Sequence, residues 1–175
     1  MLFRSANLIA DLLPEFRERK MQLAVLGTGE YLYEHAIADF AYHNQSRFAA
    51  RITFDEKLSR RFYAGADVFL MPSGFEPCGL AQMIAMRYGT LPLVRETGGL
   101  KDTVQPYNQY SNEGNGFTFD RYDAWLLLDA VNRAKTLFFT NRWCWDEMVQ
   151  RDMDKDVSWE NSAAQYRALY LELKP

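Results

Sequence analysis

Apolar residues change their period along this chain. Leu2, Phe3, Ala6, Leu8, Ile9, Leu12 and Leu13 recur at helical spacing, which predicts an amphipathic helix that Pro14 interrupts or ends. Short apolar runs of strand length then alternate with helical stretches. Residues 22–26 predict a strand stopping at Gly27, and residues 30–43 a helix. Residues 51–54 predict the next strand, with Asp55 capping a helix over 56–63. A buried strand over 67–71 follows, then a turn at Pro72, Ser73 and Gly74, then a helix from Pro77 or Cys78 to Tyr88 that Gly89 stops. Residues 91–94 and 116–119 complete the strands. Between them lie a helix opened by Thr97, Gly98 and Gly99 and ended by Pro106, and a polar loop over 107–115. From Tyr122 onward three helical stretches, 125–137, 142–153 and 158–173, close the chain, the last with Ser158 as cap. Strands alternating with helices predict an α/β fold: a doubly wound parallel sheet over 1–121, with 122–175 as C-terminal helices packing on the same domain.

The pattern also predicts where a ligand sits. Two successive strand–loop–helix units place two helix N-termini, each preceded by glycine, at one edge of the sheet. Such an edge collects unpaired N–H groups and positive dipole ends, which suit a phosphate or diphosphate. Gly27-Thr28-Gly29 is a third glycine turn after a strand. A dinucleotide fingerprint would need glycine at 32, where Leu32 stands, so the turn argues against a nicotinamide cofactor. The 175 residues are 48% hydrophobic and 25% charged, enough for one domain with a real core. A net charge of −3 argues against a broad nucleic-acid or anionic-membrane surface. Cys78 and Cys144, with no CxxC and no Cys/His cluster, give neither a disulfide framework nor a metal signature, and point to a reducing cytoplasm. No apolar run approaches the roughly 20 residues a bilayer span needs.

Ser73-Gly74-Phe75-Glu76-Pro77-Cys78-Gly79-Leu80, with Gly89-Thr90-Leu91-Pro92 and Thr97-Gly98-Gly99-Leu100 behind it, resembles the donor-binding segment of bacterial glycogen synthases and plant starch synthases. The likeness extends to Gly65-Ala66-Asp67 and Gly114-Asn115-Gly116-Phe117. Those enzymes are retaining glucosyltransferases of two Rossmann-like domains facing each other across a cleft, the GT-B arrangement. The resemblance implies that the chain is the C-terminal, donor-side part of such an enzyme, Rossmann-like in fold and cytoplasmic. It would transfer glucose from ADP-glucose, favoured over UDP-glucose, to the non-reducing end of an α-1,4-glucan. It implies no cofactor, no metal, no nucleic acid and no membrane. A non-catalytic module that binds a nucleotide sugar or a partner is the competing reading.

The resemblance makes Glu76 the catalytic candidate, a carboxylate that accepts hydrogen bonds from sugar hydroxyls and stabilises positive charge at the anomeric carbon. Helix capping is its alternative role. Phe54 would stack on the donor base, or else close the core. Ser73, Cys78, Gly79, Leu80, Thr97, Gly98 and Gly99 would bind the donor, the glycines through backbone N–H groups. Cys78 could instead be a small buried residue at a helix start. Related transferases carry a second glutamate eight positions on, where this chain and the synthases do not; here that residue is Ile84. The synthases' Arg-x-x-x-Gln-Lys-Gly segment and their acceptor-binding domain with its Lys-x-Gly-Gly-Leu loop would precede residue 1, so the chain alone is expected to be inactive. The family's first strand would precede it too. Strands 23–26 and 67–71 would then pair directly, accept a strand from another copy, or leave the chain poorly folded.

Overall fold

The computed structural model describes residues 6–173. Among them are five parallel strands, β1 (Leu23–Leu26), β2 (Phe48–Arg51), β3 (Val68–Met71), β4 (Leu91–Arg95) and β5 (Phe117–Phe119). They form two sheets, β1-β2 and β3-β4-β5. Leu23 pairs with Phe48 in the first; Leu70 with Leu93, and Leu93 with Phe117, in the second. The parallel α/β class is therefore as the pattern predicts.

The helices follow the same alternation: α1 (Ala6–Asp11), α2 (Leu13–Glu18), α3 (Tyr31–His43), α4 (Glu56–Gly65), α5 (Ala81–Arg87), α6 (Gly98–Thr103), α7 (Ala124–Thr140), α8 (Arg142–Asp154) and α9 (Trp159–Glu172). Side-chain caps set several starts. Asp55 accepts from Leu58 N–H (2.9 Å), Asp123 from Trp125 (2.8 Å) and Leu126 (3.1 Å), Asn141 from Cys144 (3.2 Å), and Ser158 from Asn161 (3.2 Å). The N-terminal helix is interrupted at Leu12, beside Pro14, rather than ended by it. Pro14 stands in the first turn of α2, where its missing N–H costs nothing, and the chain restarts a helix there. Residues 1–5 of the expected first helix lie outside the described residues.

The core centres on the second sheet. Leu91, Leu93, Phe117 and Phe119 pack against Leu127, Leu128, Ala130, Val131 and Ala134 of α7, while Trp145 of α8 stacks on Phe117 at 6.0 Å and meets Phe138 edge-on at 5.0 Å. The buried leucine, valine and phenylalanine side chains among these each contribute roughly 1.5–3 kcal/mol. By contrast α9 buries no residue. No helix among the described residues is long and apolar enough to cross a membrane.

β1 and β3 do not pair. Leu23 and Val25 of one and Leu70 of the other all pack on the cluster of Ala6, Ile9, Leu13 and Ile37, so a single helical layer spans both sheets. Leu13 (4% exposed) and Ile37 (1%) are buried in that layer. Direct pairing, one of the expected outcomes, is thus not what the chain adopts.

One strand lies elsewhere than predicted. β2 is Phe48–Arg51, not 51–54. Phe48 is buried and meets Phe40 edge-on at 5.0 Å, so it fixes the strand, and Ile52, Thr53 and Phe54 fall in the following loop.

Candidate active site

The candidate site forms where β3 and β4 end. β3 leads into an irregular loop, 72–80, and α5 begins only at Ala81, not at Pro77 or Cys78. Gly79 is the reason: its φ of +71° is left-handed and cannot continue a helix. With no ladder to hold it, the loop is fixed by side chains and by close backbone approach.

Arg95, the last residue of β4, grips the loop at its start. Its Nε donates to the Ser73 carbonyl at 2.7 Å, Nη2 to the Gly74 carbonyl, and Nη1 to the Asp120 carbonyl at 3.4 Å. The guanidinium also lies 5.9 Å from the Tyr122 ring centroid. A planar fork of five donors suits three carbonyls converging on one point. In the sequence Arg95 is one of three cations near the site, with Arg61 and Lys101; its anchoring role needs the fold to bring Ser73, Gly74 and Asp120 together.

The middle of the loop rests on the turn before α6. A Cβ on Gly98 would stand 2.1 Å from the Glu76 carbonyl oxygen, and one on Gly99 would stand 2.0 Å from that of Cys78. Gly99 N–H donates to the Pro77 carbonyl at 3.3 Å. Both glycines are therefore needed for two backbones to touch. Gly99→Ala is expected to force the turns apart and to destabilise the chain by about 1–3 kcal/mol, the range for overpacking. An unchanged urea midpoint would show that the turns are not in contact.

The N–H groups at this junction divide in two. Thr97 N–H is engaged by the Arg95 carbonyl at 2.9 Å and that of Gly99 by Pro77. Those of Gly79, Leu80 and Gly98 find no acceptor among the described residues. Gly79 is buried, so an unanswered donor there is costly unless a ligand accepts from it. The expected helix dipoles contribute less than the sequence implies, because α5 has seven residues and α6 six. The open donors are turn amides rather than helix ends.

Glu76 is half-buried, and its carboxylate forms no hydrogen bond or ion pair among the described residues. It caps neither α5 nor α6, whose cap residues, Leu80 and Thr97, make no side-chain cap bond. Capping therefore does not explain it. Cys78 is exposed, which removes its reading as a small buried residue. Ser73 is buried, Leu80 is exposed, and Thr97 is half-buried. Phe54 is 84% exposed on the loop after β2, so it does not close the core. It lies on the loop that follows the first sheet and stands outside the cluster that Arg95 and the glycines assemble. At the third glycine turn, Gly29 N–H is occupied by Glu34 Oε1 at 2.6 Å, a carboxylate where a dinucleotide would place phosphate.

Parallel strands alternating with helices, with glycine turns at the C-terminal ends of β3 and β4, define a domain of the Rossmann-like class. The chain belongs to the family described as Glycosyl transferases group 1, whose profile matches residues 5–137. It is 47% identical over 170 residues to a glycogen synthase of Desulfitobacterium hafniense and 44% identical over 170 residues to one of Clostridium acetobutylicum. Each match covers 97% of this chain and 36% of the relative, so the chain spans about a third of those enzymes. Among solved structures it is similar to the catalytic domain of starch synthase IV from Arabidopsis thaliana bound to ADP and acarbose, with a TM-score of 0.82 and 34% identity, over 98% of this chain and 37% of that one. A sucrose-phosphate synthase from Thermosynechococcus elongatus shares the fold, with a TM-score of 0.64 and 23% identity over 97% of this chain and 42% of that one.

Proposed function

We propose that the chain is the donor-side part of a glycogen or starch synthase, transferring glucose from ADP-glucose to the non-reducing end of an α-1,4-glucan with retention. The observation that carries this reading is the 72–80 loop seated on the Gly98–Gly99 turn, with the Gly79, Leu80 and Gly98 amides open and the carboxylate of Glu76, on the same loop, unpaired. The similarity to a starch synthase solved with ADP supports adenine as the base.

In this reading the diphosphate accepts hydrogen bonds from the open amides, and Cys78, Leu80 and Thr97 border it. Ser73 and Gly99 act from beneath by holding the two turns in place. Phe54 stacks on the base. As the bond from the anomeric carbon to the diphosphate breaks, the Glu76 carboxylate opposes the positive charge that grows there. The glucan hydroxyl forms the new bond at that carbon, and its proton leaves with the diphosphate. The acceptor groove is proposed to belong to the part of the relatives' length that this chain does not span. Cys78 is an exposed free thiol, which supports a reducing, cytoplasmic setting.

Phe54 offers the simplest test. Phe54→Ala is expected to weaken ADP binding by roughly 1–3 kcal/mol, the scale of base–aromatic stacking. Because the ring is 84% exposed, thermal stability should not change. Calorimetry with ADP on both forms decides it: equal affinities would remove Phe54 from the donor site.

A further inference from the structure

We infer that Gln82 is a positioning residue that clamps the two donor-facing turns to each other. The inference rests on the reading of those turns as the diphosphate cradle. Gln82 stands in the first turn of α5 and is 0% exposed. Its Nε2 donates to the Gly79 carbonyl at 2.7 Å, on the loop that carries Glu76, and to Thr103 Oγ1 at 3.0 Å. Thr103 Oγ1 in turn donates to the Gly99 carbonyl at 2.6 Å. Both amide hydrogens are thereby engaged, one by the Gly79 turn directly and one by Thr103, whose hydroxyl carries the link on to Gly99.

Two further facts separate a clamp from a filler. Gln82 Oε1 is buried without a hydrogen-bond partner, a cost that an apolar side chain of the same volume would avoid. That oxygen also lies 2.6 Å from the place a Cβ on Gly79 would occupy, so the left-handed glycine and the amide are fitted to each other. Around this link the backbones already touch, through Gly99 N–H to the Pro77 carbonyl and through Gly98 against Glu76. The open amides of Gly79 and Leu80 lie on one turn and that of Gly98 on the other. A shift of one turn against the other therefore changes the spacing that a diphosphate reads.

The test compares wild type with Gln82→Leu, Thr103→Val and the double variant, by amide hydrogen exchange and by ADP titration of the 175-residue chain. Gln82→Leu keeps the volume and removes the donor; Thr103→Val keeps the shape and removes the hydroxyl, and stands in if the first variant folds poorly. The clamp predicts that Gly99 N–H exchanges at least about tenfold faster in either single variant and no faster in the double, while Leu93 in β4 keeps its protection. ADP affinity should fall about tenfold in Gln82→Leu. Gly99 and Leu93 accelerating together would show general loosening of the core and overturn the inference. So would unchanged exchange at Gly99, or wild-type ADP affinity in Gln82→Leu. If wild type takes up no ADP at millimolar concentration while Gly99, and not Leu93, still responds to either single variant, the clamp stands and the nucleotide reading fails.

Discussion

Asp152→Asn is expected to stabilise the chain, strongly above neutral pH and not at all near pH 4. Asp152 lies in α8 and is 3% exposed, with both carboxylate oxygens buried and without a hydrogen-bond partner. Asn115 is beside it; its amide accepts from Gln105 N–H (2.6 Å) and spends one N–H on the Thr103 carbonyl (3.0 Å), and its second N–H helps draw the carboxyl pKa down. Burial pushes the Asp152 carboxyl from 3.8 up to about 7, against the pull of Lys155 and Arg151. The sign follows from which state holds the proton. Below pH 3.8 both the folded and unfolded chains are protonated at this group, and there is no penalty. Between 3.8 and about 7 the unfolded chain has released the proton and the folded chain keeps it, so stability falls as pH rises. Above 7 the loss is complete, up to about 4 kcal/mol at 1.36 kcal/mol per pH unit. Asparagine carries no such proton. Urea unfolding at pH 4, 6 and 8 should show the gap between variant and wild type widening with pH; a constant gap would mean that the fold does not raise the pKa of this carboxyl.

Glu76→Ala is expected to act on turnover rather than on binding. Its carboxylate has no structural partner to lose, so the substitution should leave the fold intact. The measurement needs a complete acceptor side. A chimera in which this chain replaces the matching part of the Desulfitobacterium hafniense glycogen synthase would supply one. There Glu76→Ala should lower kcat by roughly 10²–10³-fold, the scale for removing one electrostatic group from a transition state, while KM for ADP-glucose moves little. Equal losses in both constants would make Glu76 a binding group, and no loss would remove it from the chemistry.

Much of this was legible in the sequence because it depends on local pattern. Apolar runs between helical stretches gave the parallel α/β order, and Asp55 and Ser158 were readable as caps because a cap needs only its own backbone a few residues on. The misplaced second strand shows the limit. Ile52-Thr53-Phe54 has more β-forming side chains than Phe48-Ala49-Ala50, yet Phe48 wins because Phe40, on α3, is there to receive it. The start of α5 was misread for a similar reason: Pro77 followed by Cys78 looks like a helix opening, and only the left-handed Gly79 rules it out. In the site, the glycines were recognisable but not their first duty, which is to let two backbones meet. Arg95 and Gln82 carried no local signal at all, since their partners are Ser73, Gly74 and Asp120 for one and Gly79 and Thr103 for the other. Asp152 reads as one of several charges on a helix until the fold buries it.

The central claim is that the junction of the two glycine turns binds the diphosphate of a nucleotide sugar. Titrating the isotopically labelled chain with ADP-glucose, and separately with a malto-oligosaccharide, tests it most directly by backbone amide shifts. The account predicts that ADP-glucose moves the amides of Gly79, Leu80, Gly98 and Phe54 first, and that the oligosaccharide leaves them in place. Saturable shifts confined to other surfaces, or movement of these four by the glucan and not by ADP-glucose, would contradict it.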